Sequence, residues 1–367
     1  MPLNSEPRLP DIVRDWKIEA EVSGDYTKHI VYESGLSARE RHIRKEETWK
    51  RQRLLGQGGY GTVYLEKCTQ GDQPKLRAVK KIKSQDVEHS RELEAILRFS
   101  HKRYNYCFVQ SYGWFESGDS IFISMEYLEL GDLQRHLIRP LPESEAQQIT
   151  LQVLEGLKYM HENGFVHRDV KPAVRWPCFN TMVVTAGPDW FVKIADFGIS
   201  KRRQPGVTSL RTKQLGTMGF AAPELLNLFQ ETVTSSYTWS VDIWSLGAMA
   251  YLMLTHTLPF RSFGDLYEYA HKESSFPTHS LSKCNVSEEG HDFITKLMSP
   301  KSQDRPAAQV AMGYGWLSSI NNDKDAQLRR VHDDAQTARV LMKSNITLVT
   351  SRQKKNLILY PAPLQHR

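Results

Sequence analysis

The stretch "RLLGQGGYGTVYLEK", residues 53–67, decides the fold. Gly56, Gly58 and Gly61 stand as G-x-G-x-x-G, a spacing used by more than one kind of phosphate-binding turn. In dinucleotide folds the turn opens a helix whose N-terminus receives the pyrophosphate. Here it opens into "TVYL", β-branched and aromatic, which reads as a strand. The segment is therefore strand, glycine turn, strand. Its glycines would let backbone N–H groups approach phosphates, although an ordinary Gly-rich hairpin stays open from this segment alone.

Working outward, "KLRAVKKIK" (75–83) is a further short strand that pairs naturally with the hairpin, and it carries Lys80. A lysine on an inward face is costly unless paired. Glu92 can supply the partner from "EHSRELEAILRFSH", where Leu93, Ile96 and Leu97 share one face at helical spacing. "YCFVQSYGWFESGDSIFISMEYL" returns to two strand runs split by "ESGD". The chain then turns helical. "SEAQQITLQVLEGLKYMHENG" buries Ile149, Val153, Leu157 and Met160 and stops at Gly164, and "VDIWSLGAMAYLML" and "SEEGHDFITKLM" follow. A strand-rich part to about residue 127 followed by a helix-rich part predicts an α+β chain of two lobes with a cleft between them.

Upstream, residues 1–47 mix charges with Pro, Gly and Ser without a sustained period and read as an N-terminal extension. The segment "ESGLSARERHIRKEETWKR" begins as loop and ends as a helix or strand on the first lobe. Residues 319–367 form a basic tail: from 320 onward nine Lys/Arg face four Asp/Glu, which carries most of the formal +6. Such a tail suits acidic partners or a membrane surface, a solvated terminus explains the charge without either, and no nucleic-acid partner is expected. The 40% hydrophobic and 25% charged residues are ordinary for a globular chain. No apolar run is long enough for a membrane span. Cys68, Cys107, Cys178 and Cys284 are scattered, against a zinc site or disulfide framework and in favour of a reducing compartment, cytoplasmic or nuclear.

Two further motifs carry chemistry. "HRDVKP" (167–172) follows the long helix, and Asp196 of "ADFGIS" follows the strand "FVKIA". A carboxylate at a strand end suits Mg2+, which takes one or two carboxylates plus substrate phosphates. The ordered set of glycine loop, strand lysine, helix glutamate, H-R-D, D-F-G and A-P-E resembles the eukaryotic protein kinase family, serine/threonine type. The likeness runs from about Thr48 to Trp316, with "MEYLELGDL", "GTMGFAAPE", "VDIWSLG" and "DRP" as supporting matches. It implies the two-lobed kinase fold over residues 48–318, with a β-rich N-lobe (48–127) and a helical C-lobe (128–318) around an ATP cleft.

The resemblance implies roles residue by residue. Gly56, Gly58 and Gly61 would cover the ATP phosphates, with Val63 beside them. Lys80, paired to Glu92, would hold the α- and β-phosphates. The backbone from Glu126 to Leu128 would receive the adenine, with Met125 behind it. Asp169 would accept the substrate proton, Lys171 would steady the γ-phosphoryl, and Asp196 would bind Mg2+. Lys171 and Thr217 point to serine or threonine as acceptor. Arg168 implies an activation loop phosphorylated by an upstream kinase at Thr208, Ser209 or Thr212. His167 reads as a packed core histidine, and Glu224 and Arg305 as a buried scaffold pair.

One departure stands out. The family places an asparagine, ligand to a second Mg2+, five residues after the catalytic aspartate, where this chain has Val174. Removing Val174–Phe179 ("VRWPCF") leaves "HRDVKPANTMVV" and brings Asn180 into place. Three readings remain open: a tolerated outward bulge, a pseudokinase or kinase-like interaction module inactivated by the insertion, and a splice or gene-model variant. A small-molecule kinase on the same fold is a further alternative, and the activation segment speaks against it.

Overall fold

The computed structural model describes residues 11–33, 43–58, 61–71, 75–83, 89–167, 180–195, 201–202, 219–226, 228, 239–318 and 320. A short helix, α1 (Asp11–Asp15), precedes the strands β1 (Glu19–Ser23), β2 (Tyr26–Glu33), β3 (Ile43–Gly58), β4 (Gly61–Gln70) and β5 (Leu76–Lys83). Helix α2 (His89–Phe99) leads to β6 (Ser111–Ser117) and β7 (Ser120–Glu126). These strands make a seven-stranded sheet in the order β1-β2-β3-β4-β5-β7-β6, with every neighbouring pair antiparallel.

The expected glycine hairpin is present. Gly58 pairs with Gly61 at its tip, and Gly61 has φ +122°, a conformation open to glycine. A Cβ there would also collide with the Lys81 carbonyl, so β4 can run this close to β5 only without a side chain.

The period-free extension contains more order than its composition suggests. β1 and β2 form a tight hairpin with Ser23 opposite Tyr26 and Gly24 at φ +59°. The signal was local: a Gly-Asp pair between two alternating runs, one of the two-residue turns that match strand twist. Alternation over five residues is too short to register as a period on its own.

The second lobe is helical. Helix α3 (Glu143–Glu162) completely buries Ile149, Val153, Leu157 and Met160, and Gly164 ends its run at φ +77°. Then come β8 (Phe165–Val166), the hairpin β9 (Thr181–Thr185) and β10 (Phe191–Ile194), and β11 (Lys201–Arg202), which pairs with β8. Helix α4 (Ser240–Thr255) is buried along its whole length, as its apolar sequence on all sides requires. Helices α5 (Phe263–Ala270), α6 (His279–Lys283), α7 (Glu288–Leu297) and α8 (Ala308–Ala311) complete the lobe. Among the described residues no helix is long and apolar enough to cross a membrane.

Candidate active site

Strand register builds the first wall of the site. Gly56 stands opposite Val63, Val63 opposite Lys80, and Lys80 opposite Ile123. Cross-strand partners point to the same face, so these residues form one row across β3, β4, β5 and β7. Together with Gly61 they line a cavity, and Ala78, two residues from Lys80, lies on the same face. Val109, Leu128 and Ala195 form a buried cluster against which Met125 and Met182 pack, and all five line the cavity. The result is an apolar slot with a few polar groups at its margins, the usual build of a small-molecule site.

Lys80 is 5% exposed. Glu92 lies on α2, and its side chain falls outside the described residues. Glu126 keeps its carboxylate out of ligand chemistry. Lys193 Nζ donates to both its oxygens at 2.9 and 2.8 Å, and the Gln110 N–H donates to Oε2 at 3.3 Å. Any contact of Glu126 with a ligand therefore falls to its main chain. Leu128 accepts the Gly131 N–H at 3.1 Å, while its own N–H meets no acceptor among the described residues. A main-chain donor left open at the edge of an apolar slot is suited to a planar ligand with ring acceptors.

The opposite wall centres on Ala195. Its N–H donates to the Asn180 carbonyl at 2.8 Å, closing the β9–β10 hairpin. Its carbonyl lies 3.3 Å from His167 Nε2. The loop running from His167 to Asn180 is thus pinned at both ends to the residue that precedes Asp196. His167 is fully buried and its N–H donates to Asp242 at 2.8 Å, as expected of a structural histidine. Burial alone would push the Asp242 carboxyl up. The hydrogen bond and charge of His161, with the charge and backbone N–H of His167, outweigh that and hold it below the usual carboxylate range.

Asp169, Lys171, Asp196, the stretch Val174–Phe179, and Thr208, Ser209 and Thr212 lie outside the described residues. Of the expected site residues, the structure brings together Gly56, Gly61, Val63, Lys80, Glu126 and Leu128 around the cavity. Gly58 sits at the hairpin tip, and Asn180, which does not line the cavity, is bonded to Ala195, which does. Sequence reasoning missed Ala78, Ile96, Val109, Met182 and Arg135, which also line the cavity, Arg135 in an ion pair with Asp132 of "GDL". For Ala78 the available signal was period two from Lys80; Val109 and Met182 come from distant segments and had none.

The protein kinase domain family matches residues 49–317. The serine/threonine-protein kinase cds1 of Schizosaccharomyces pombe is 35% identical over 217 residues, covering 58% of this chain and 45% of that protein. A calcium/calmodulin-dependent protein kinase of Metarhizium anisopliae is 31% identical over 282 residues, covering 76% of this chain and 69% of its own. This chain thus spans less than half of the first of these relatives. Among solved structures, the Rad53 kinase domain with SCD2 superposes with a TM-score of 0.57 at 28% identity, over 73% of this chain and 88% of that one. A second Rad53 structure, at a TM-score of 0.52 and 27% identity over 69% of this chain and 86% of that one, is a complex with AMPPNP. With the glycine hairpin, the buried strand lysine and the pinned loop in the order that family requires, the chain belongs to the protein kinase domain family, on its serine/threonine side.

Proposed function

We propose that this chain transfers the γ-phosphoryl group of ATP to serine or threonine hydroxyls of protein substrates, and that the insertion is an outward bulge. The single observation behind the second half is the Ala195 node. Both stems of the His167–Asn180 loop are fixed by bonds to one residue. The register of the β9–β10 hairpin, and not the length of the loop, therefore sets where Asn180 sits. Six intervening residues have become twelve, and doubling a loop costs only about 0.6 kcal/mol in closure entropy.

In this reading the glycine hairpin covers the phosphates, Lys80 with Glu92 holds the α- and β-phosphates, and the main chain from Glu126 to Leu128 receives the adenine. Asp169 accepts the hydroxyl proton and Lys171 faces the moving phosphoryl. Asn180 and Asp196 would hold Mg2+. Their oxygen donors suit a hard cation, and Ala195, whose N–H is bonded to Asn180, directly precedes Asp196 in the sequence. Bound there, the ion would neutralise charge on the transferred group. An AMPPNP complex of a structural relative supports the nucleotide assignment. Activation by an upstream kinase at Thr208, Ser209 or Thr212 belongs to the same reading.

The test is phosphoryl transfer to a generic basic protein with Mg-ATP. It compares the chain, the chain lacking Val174–Phe179, and Asp169→Asn in each. Transfer by the full chain, reduced at least a hundredfold by Asp169→Asn, is the expected result. Transfer by the shortened chain alone would show the insertion to be inactivating, and silence from both would favour an interaction module.

A further inference from the structure

The family match begins at residue 49, yet the structure does not begin there. Residues 16–18, just ahead of β1, run parallel to β6. The Ile18 N–H donates to the Trp114 carbonyl at 2.7 Å, and the Trp114 N–H donates to the Trp16 carbonyl at 3.1 Å. Since β1 is one edge of the sheet and β6 the other, these bonds close the sheet on itself. Ala20 and Val22 of β1 then pack inside against Val79, Phe115 and Phe122. Gly113, at φ +120°, is shaped for this contact, because a Cβ there would stand 2.7 Å from the Ile18 side chain.

The same segment reaches α2. Helix α1 packs against α2, Val13 of α1 is wholly buried, and the Trp114 indole N–H donates to the Val13 carbonyl at 2.6 Å. Trp114 is 1% exposed and stands opposite Ile123, which extends the row Val63–Lys80–Ile123 by one strand. Helix α2 contributes Ile96 to the cavity. The N-terminal clasp therefore touches the site by two routes, along the strand row through Trp114 and through the body of α2. None of its own residues lines the cavity.

We infer that residues 11–23 are a working part of the nucleotide-binding unit, in which Trp114 and Val13 act as positioning residues that hold α2 and the Lys80 strand in their binding arrangement. The inference rests on the nucleotide reading of the cavity. A loosened α2 lets the back wall move, and a site that is competent only part of the time binds its ligand more weakly in proportion.

Two variants of the full chain test this, each followed by amide hydrogen exchange and by calorimetric binding of AMPPNP with Mg2+. Trp114→Phe keeps the aromatic bulk and removes the donor to Val13. Its α2 amides should exchange about three- to tenfold faster and its AMPPNP Kd should rise by a similar factor, the usual weight of one hydrogen bond. Val13→Asp, which places a carboxylate in a fully buried position, should exceed tenfold on both readouts. Amides of α4 and α7 should be unchanged in Trp114→Phe. Unchanged α2 exchange would overturn the proposal. So would faster exchange spread equally over α4 and α7, or altered α2 exchange with an unchanged Kd. A wild-type chain that binds no AMPPNP would overturn the nucleotide reading instead, and the α2 amides would still decide the clasp.

Discussion

Arg305 of the helical lobe and Arg77 of the sheet lobe are both buried beside a glutamate, but the two guanidinium groups are satisfied differently. Arg305 donates to Glu224 at 2.6 and 2.8 Å and also to the carbonyls of Ser240, Ser299 and Pro300. It joins the Pro223–Leu226 turn, the start of α4 and the chain ahead of its own position. Arg77 directs Nε and Nη2 to a single oxygen of Glu66, at 3.1 and 2.8 Å, and lies over the Trp49 ring at 4.0 Å. Burial lowers its pKa below the ordinary arginine value, against the opposing pull of Glu66. One arginine organises loops; the other fills the inside of a closed sheet.

Breaking either pair from one side should have the largest effect. Removing one partner of a buried ion pair costs about 3–5 kcal/mol, because the other charge is left uncompensated. Arg77→Ala should fall at the upper end, since Glu66 is 2% exposed, whereas Glu224 at 20% can recover some solvation after Arg305→Ala. Denaturant midpoints of the two variants would check the order. A smaller loss for Arg77→Ala would mean that Glu66 is not left uncompensated when its partner goes, against the burial argument.

Replacing both partners sharpens the contrast. A buried pair exchanged for apolar residues of similar volume is often neutral or stabilising. That is the outcome expected of Glu66→Leu with Arg77→Met, within about 1 kcal/mol of the natural chain or above it. Glu224→Leu with Arg305→Met should still be destabilised by about 2–4 kcal/mol, because the buried Ser240 carbonyl loses its donor at a cost of about 1–3 kcal/mol, and the half-buried Ser299 and Pro300 carbonyls, which water can partly satisfy, add less. Equal losses in the two double variants would erase the distinction between loop organiser and sheet filler.

The two pairs also differ in how far a sequence reveals them. Glu224 and Arg305 sit in "APE" and "DRP", motifs whose family resemblance implies the pair directly from the sequence. Glu66 and Arg77 sit in ordinary strands, where period two assigns them to the face away from Lys80. Nothing local says that this face is covered. It is covered because β1 and β2 close the sheet, a long-range event carried by a five-residue alternation and a Gly-Asp turn. The candidate site divides in the same way. The glycine hairpin and the strand carrying Lys80 are readable locally, and the resemblance to a known family marks Lys80 and the stretch from Glu126 to Leu128, because each motif is contiguous. The place of Asn180 is not, since it depends on a bond to Ala195 that no count of residues predicts.

The smallest effect is on acid stability, and it should again separate the lobes. His29 of β2 is buried beside Arg77 and against the Phe115 ring. Burial first, and then the Arg77 charge, lower its pKa from 6.5 to about 3, against a weak pull from the Glu19 carbonyl. The folded chain therefore refuses a proton that the unfolded chain takes up near pH 6.5. Between those two values stability falls as pH falls, by up to about 1.4 kcal/mol per pH unit. Asp242 in the helical lobe is depressed from an already acidic value, so its contribution is intact at neutral pH and is lost only below about pH 4. Unfolding followed by hydrogen exchange from pH 7 to 4 should show the amides of β1 and β2 losing protection before those of α4. His29→Phe should flatten that early loss while leaving the later one in place. Simultaneous loss in both lobes would mean that closing the sheet has coupled them into one cooperative unit, and the contrast between the two arginines would then be one of chemistry without separate stability.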